Sequence, residues 1–326
     1  MNGRLEKELL AEQKMKAKLK TLPKIFSEYY VYLRAAKKTY TTIGTYMNYA
    51  VHFANFISDG KIAEEFYKNT TTSDIESYII SLETKEVNGQ LQRIGSDIQC
   101  ARWSGLSTFF EFLVKRNYLA ENPVSKTTRP KNTSEHTVTY LTKQEIKKIM
   151  NTIDENPSSL MAARDKTIIA LALSTGLRVG AITNLNVSDI NFDEQLISVI
   201  EKGNKSRQIE VGGNTIELLQ NWLDVRNEEF ADIDTNALFI SRKNVRITSK
   251  AVGDMIKKYT AQAGIAKHIT PHKCRSSAAT NLAAAGVSIQ AIAKQLGHSS
   301  VSITQRYVDV LKEEKDKSIK VLDNLF

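Results

Sequence analysis

Cysteine is nearly absent. The 326 residues hold two, Cys100 and Cys274, far apart and in no CxxC pair. Such spacing excludes a disulfide framework and a zinc site, and it suits a reducing compartment. Long apolar runs are missing too, so no stretch reads as a membrane span. The Lys- and Glu-rich start has no apolar core of a secretory leader. A soluble cytoplasmic protein is the expectation. Internal repeats and low-complexity tracts are absent as well.

Positive charge is in excess. Lys and Arg number 45 against 36 Asp and Glu, a formal net charge of +9. An excess of this kind favours a polyanionic partner, nucleic acid being the commonest, although charge alone does not separate that from an ordinary basic protein. Hydrophobic residues make up 41% of the chain, enough for ordinary cores, and the length suggests two domains.

Residues 1–21 read as a charged helical extension, with Leu5, Leu9, Leu10 and Met15 as a thin apolar stripe suited to a frayed helix. Residues 22–122 are helical in pattern throughout. Pro23 opens the first helix, and Phe26, Tyr29, Tyr30 and Leu33 share one of its faces. Three more helices follow, closing with one over about 96–115 that turns Ile98, Ala101, Leu106, Phe109, Phe110 and Leu113 inward. Four such helices can bury one another as an independent α-domain. Residues 123–138 hold Pro123, Pro130 and many Ser and Thr, and read as an extended basic linker. Beyond it, Thr142 and Glu145 have the spacing of a capping box. Strands are predicted at 196–201 and 207–211, joined as a hairpin with Lys202 at its tip, and a third at 238–241. Helices are predicted near 142–153, 159–175, 214–227, 249–263, 272–286, 288–296 and 300–322. The fold class is therefore mainly α with a small β-sheet (α+β).

The chemistry concentrates between Thr270 and Tyr307. His272 and Arg275 lie three apart on a predicted helix begun by Pro271, so they project from one face. His298 follows Gly297, which permits a tight turn. Tyr307 lies nine residues beyond His298, and upstream Thr175-Gly176-Leu177-Arg178 supplies a second arginine. A turn at 201–207 supplies Lys202, Lys205 and Arg207. Transfer of a phosphodiester needs cations on the non-bridging oxygens, a nucleophile and a proton for the leaving oxygen. An arginine fork grips two phosphate oxygens, and a tyrosine needs help to attack at neutral pH. Singly, each residue has a plainer use as packing, a cap or a surface charge; their joint occurrence is what points to DNA phosphoryl chemistry. For DNA contact outside this set, Lys37, Lys38, Thr39, Thr41, Ser96, Gln99 and Arg102 lie at helix starts or polar faces, and Lys126, Arg129 and Lys131 make the linker basic. Lys205 and Arg207 join them in the turn. Most of these would touch phosphates rather than bases.

Taken in order, Thr-Gly-Leu-Arg, the Lys-Gly-Asn-Lys turn, His-x-x-Arg, Leu-Gly-His and a tyrosine nine residues beyond resemble the tyrosine recombinase (phage integrase) family. The match spans residues 139–309, and residues 22–122 resemble that family's core-binding domain. The resemblance implies a DNA clamp of two domains that works without metal or cofactor. It implies that Tyr307 forms a 3′-phosphotyrosine, Arg178, Arg275 and His298 stabilise the phosphate, Lys202 protonates the leaving 5′-oxygen, and His272 assists proton transfer. It further implies double-stranded DNA as partner, a homotetramer acting through a Holliday junction, no membrane, and room for an accessory DNA-bending or directionality factor. The 310–326 tail, with Val310, Leu311, Ile319, Leu322, Leu325 and Phe326, would dock in cis or be exchanged between protomers.

Three points depart from or qualify the family pattern. Ala181 stands where an acidic residue is usual, Cys274 where leucine is common, and Lys205 rivals Lys202. The resemblance leaves room for integration or excision of a mobile element, inversion and chromosome-dimer resolution. The lack of a separate arm-binding domain leans to a simpler recombinase, and mobile-element use is the preferred expectation. A topoisomerase-like relaxing enzyme and a non-catalytic DNA-binding protein on this scaffold are the alternatives.

Overall fold

The computed structural model describes residues 3–311, except 88, 134–137, 156–160, 201–205, 231–234 and 299. The chain forms two compact units, Met1–His136 and Thr137–Phe326.

In the first unit, helices α1 (Gly3–Leu19), α2 (Lys24–Ala35), α3 (Tyr40–Ile57), α4 (Thr72–Ser81) and α5 (Ser96–Lys115) surround an aromatic core. The sequence sets their starts. Thr39 accepts from the Thr42 N–H at the head of α3, and Thr71 and Asp74 form a capping box on α4. Pro23 is the residue before α2 rather than inside it, and the Lys24 N–H is met by Glu64 at 3.0 Å. Phe26, Phe66 and Phe109 stack with centroids 5.8–6.0 Å apart, and Tyr29 meets Phe109 edge-on at 5.0 Å. Such ring contacts add to the burial of the rings themselves.

Several expectations are corrected here. The α1 helix is not a frayed extension: Met15 enters the core, Tyr40 donates to Glu12 at 2.6 Å, and Lys18 donates to Asn48 at 2.6 Å. A hairpin of β1 (Thr84–Val87) and β2 (Gln90–Arg93) interrupts the helical run. Ile98 is 42% exposed rather than inward. The stretch read as an extended basic linker lies against this unit as far as Thr133. Val124 is buried in its core, the Trp103 indole donates to Thr127 at 2.7 Å, and the Thr133 N–H donates to Ser96 at 2.9 Å. Hydrogen bonds of small polar residues fix this stretch, and apolar periodicity does not register them.

The second unit runs α6 (Lys143–Asp154), α7 (Ala162–Thr175), α8 (Val179–Asn184), β3 (Ile190–Asn191), β4 (Leu196–Ile200), β5 (Ser206–Glu210), α9 (Gly213–Glu229), α10 (Ser249–Gln262), α11 (Pro271–Ala284) and α12 (Ile289–Leu296), then α13 over 301–311. The capping box of Thr142 and Glu145 starts α6. The sheet is antiparallel in the order β3-β4-β5, with Ile197 opposite Ile209 and both facing the core. The third strand is thus β3 and not 238–241. Residues 237–240 are buried, but side chains take three of their carbonyls, and the fourth, of Phe239, accepts the Ile247 N–H. Arg226 bonds Ala237 at 3.0 Å, Trp222 bonds Leu238 at 2.8 Å and Arg164 bonds Ile240 at 2.6 Å. Their strand-like hydropathy reflects burial, with only isolated bridges to Asn186 and Arg246. The short α8 has no counterpart among the predicted helices. Lys202 and the hairpin tip lie outside the described residues, as does the tail from 312. Among the described residues no helix is long and apolar enough to cross a membrane.

Phe109 touches Phe26, Tyr29, Phe66, Phe110 and Phe112. Phe109→Ala is therefore expected to cost about 3–5 kcal/mol, read by urea unfolding followed by circular dichroism. A loss below about 0.5 kcal/mol, the size of a surface change, would contradict this core.

Candidate active site

Gly176 is where the site begins. It ends α7 in the left-handed conformation, at φ 64°, and a side chain there would overlap Leu296 of α12. The close approach lets the Gly176 carbonyl meet Arg275. That arginine is 3% exposed on α11 and spans two segments: Nη1 donates to Gly176 O at 2.8 Å and Nη2 to Leu296 O at 2.6 Å. Arg178, two residues beyond Gly176, is exposed at the head of α8.

The end of α12 is fixed from two sides. Gly297 caps it at φ 66°, and the His298 N–H donates to Ala293 O at 3.0 Å. From β5, Arg207 Nη1 donates to Lys294 O and Gln295 O, each at 2.9 Å. A cation at a helix C-terminus is favourably placed against the last carbonyls. His298 is thereby held half-buried, its Nδ1 2.7 Å from Thr304 Oγ1 of α13. Tyr307, further along α13, is 3% exposed and stacks on the His298 ring with centroids 6.4 Å apart. Ala279, Ile292 and Leu296 pack beside it.

Electrostatics tie these groups together. Burial first, then the charges of Arg275, Arg178 and Arg306, bring His298 down to about 4 from its ordinary 6.5. His272, exposed in the first turn of α11, is lowered in the same direction by burial of its ring and by Arg275, Arg306 and Arg178. Both rings are therefore neutral at pH 7 beside three arginines. That combination is suited to an anion and to accepting or donating a proton next to it.

The structure thus brings Arg178, Arg275, His272, His298 and Tyr307 together. Lys202 and Lys205 lie outside the described residues. Arg306 and Thr304 belong to the same cluster and escaped the sequence reading; the one signal was their place on the helix that carries Tyr307. Asp189, near Ala181 in sequence, accepts the Asn186 N–H at 2.8 Å in a 3₁₀ cap, and Ala181 packs on the core. Cys274 is buried, its thiol pushed up to about 12 by burial.

The proposed DNA contacts divide by the work they do in the fold. Lys37, Lys38, Thr39 and Thr41 are exposed around the head of α3, as is Lys131. Arg102 instead donates to Tyr78 at 2.8 Å, Arg129 lies over Trp103, Lys126 pairs with Glu121, and Ser96 bonds Thr133. Gln99 is half-buried on α5. Arg207 holds α12.

A mainly helical protein with arginines, histidines and a tyrosine gathered in this way has the parts of an enzyme that breaks and rejoins DNA strands. Residues 139–314 match the family described as the phage integrase family, and the chain belongs to it, the tyrosine recombinases. Tyrosine recombinase XerC of Leptospira interrogans is 32% identical over 241 residues, covering 74% of this chain and 75% of that protein. XerC of Proteus mirabilis is 33% identical over 207 residues, covering 63% and 66%. Among solved structures, XerH bound to a palindromic difH substrate has a TM-score of 0.69 at 20% identity, covering 89% of this chain and 82% of that one. A lambda integrase dimer on a COC′ core site has a TM-score of 0.67 at 19% identity, covering 88% and 95%. These two share the fold.

Two outcomes follow. The unfolded His298 ring takes up a proton near 6.5 and the folded ring near about 4, so more protons bind to the unfolded chain between those values. Stability from this group is intact above pH 6.5 and falls as pH drops towards 4. NMR titration of the ring is expected to show it neutral at pH 5, and a midpoint near 6.5 would contradict this environment. Gly176→Ala is expected to cost roughly 2 kcal/mol or more from the left-handed backbone and the displaced Leu296, measured by urea unfolding. An unchanged midpoint would show that the close approach is not needed.

Proposed function

We propose that this recombinase exchanges DNA strands at a specific site through a 3′-phosphotyrosine. The Tyr307 oxygen attacks the scissile phosphorus, the P–O5′ bond breaks, and the 5′-oxygen takes a proton from Lys202. The phenol proton passes to His272, which is neutral at pH 7 and so can accept it. Arg178 and Arg275 hold the non-bridging oxygens, and His298 donates to one of them. The bond energy is kept in the phosphotyrosine, so the hydroxyl of a second DNA end can reverse the step and rejoin the strand. Four protomers would carry this out on two duplexes through a Holliday junction, in the cytoplasm.

One observation carries the reading: the Tyr307 ring stacks on His298, the same ring that burial and the charges of Arg275, Arg178 and Arg306 keep neutral. Lys37, Lys38, Thr41 and Lys131 would add phosphate contacts from the first unit, with the steep salt dependence that counterion release gives. The relatives' shared name, tyrosine recombinase XerC, favours chromosome-dimer resolution as the setting over the mobile-element use preferred from the sequence.

The test is covalent capture. Incubated with sheared genomic DNA of its own host and then denatured, the wild type is expected to carry DNA through a bond that survives detergent, and Tyr307→Phe none. Sequencing the captured fragments reads the target site. An adduct persisting in Tyr307→Phe would rule out this nucleophile, and wild-type adducts scattered without a shared site would favour a topoisomerase-like relaxing enzyme.

A further inference from the structure

Thr304 departs from what six helical threonines of this chain do. A helical threonine hydroxyl commonly turns back to the carbonyl four residues earlier, as those of Thr45, Thr108, Thr152, Thr167, Thr175 and Thr260 do. Thr304 is fully buried on α13, and among the described residues its hydroxyl meets one group only, His298 Nδ1 at 2.7 Å.

A hydroxyl has one proton to give. Given to Nδ1, it is satisfied. In the reverse arrangement the ring would donate, and the hydroxyl proton would be left buried without an acceptor, which is unfavourable. Nδ1 therefore accepts, and the hydrogen of the neutral ring sits on Nε2. The partner of one ring nitrogen sets the state of the other. Thr304 also stands one turn before Tyr307 on the same helix, and Tyr307 stacks on the ring that Thr304 bonds.

We propose that Thr304 is a positioning residue that presets His298 as an Nε2–H donor, and does so only while the helix carrying Tyr307 is docked. The donor that a phosphate oxygen needs and the nucleophile that attacks the phosphorus are then presented together. A protomer whose α13 is undocked lacks both the tyrosine and a correctly protonated histidine. This coupling rests on the strand-exchange reading given above for its use, but the tautomer itself is a property of the free protein.

The experiment compares wild type, Thr304→Val and Thr304→Ser. Long-range proton–nitrogen correlation spectra report the His298 tautomer at pH 7 without DNA, and adduct formation is timed separately on captured target DNA. Wild type is expected to be Nε2–H. Thr304→Val, nearly the same shape, should move the ring toward Nδ1–H or a mixture and slow the adduct roughly 10- to 100-fold, short of deleting a donor outright. Thr304→Ser should restore both. The inference is overturned if the wild-type hydrogen is on Nδ1, if Thr304→Val leaves the tautomer unchanged, or if valine and serine are equally slow, which would mark a packing role. A wild type that forms no adduct would count against the strand-exchange reading instead, and the spectra would still decide the role of Thr304.

Discussion

The paired hydrogen bonds of the Arg275 guanidinium, to Gly176 O and Leu296 O, are the constraint on which the site depends. The three segments they join are distant in sequence. One carries Arg178, the second carries Arg275 and His272, and the third leads through Gly297 to His298. Bonds from a charged donor contribute about 1.5–3 kcal/mol each, and leaving a buried charge without partners costs more. The segments are therefore held at the spacing the guanidinium dictates. Gly176 is needed because the carbonyl must approach while Leu296 lies against the turn. Arg207 and Gly297 then fix the far end of α12, so the ring of His298 is placed by backbone rather than by its own side-chain freedom.

The same cations set the chemistry. Burial disfavours imidazolium at both histidines, and three nearby arginines add to the effect, so both rings stay neutral. A protein with a net charge of +9 thus carries its positive potential on groups that cannot lose it, and reserves the histidines for moving protons. An arriving phosphate would offset the arginines and draw both rings toward the charged form. Binding and proton uptake are linked in this arrangement.

Much of this was legible in the residues. Gly297 and the capping box at Thr142 each had a local physical reason that the structure repeats. So did the pattern of two arginines, two histidines and a tyrosine. What escaped were features whose meaning is set by a distant partner. Arg102 and Arg207 look like DNA-facing cations until Tyr78 and the α12 carbonyls are seen beside them. The 237–240 stretch looks like a strand because it is buried, yet three of its four carbonyls bond to side chains. The Asn88-Gly89 pair is a hairpin signal, overlooked because helices run on both sides. Thr304 had no signal of its own, since its role exists only once α13 lies against His298.

Distant segments are expected to converge on one anion position. A crystal structure of Tyr307→Phe bound to a duplex carrying the captured target site measures this directly. The result predicted is a single scissile phosphate within hydrogen-bond distance of Arg178, Arg275 and His298, with the substituted ring at position 307 beside the phosphorus. A phosphate held by one of the two arginines while the other points elsewhere would contradict it.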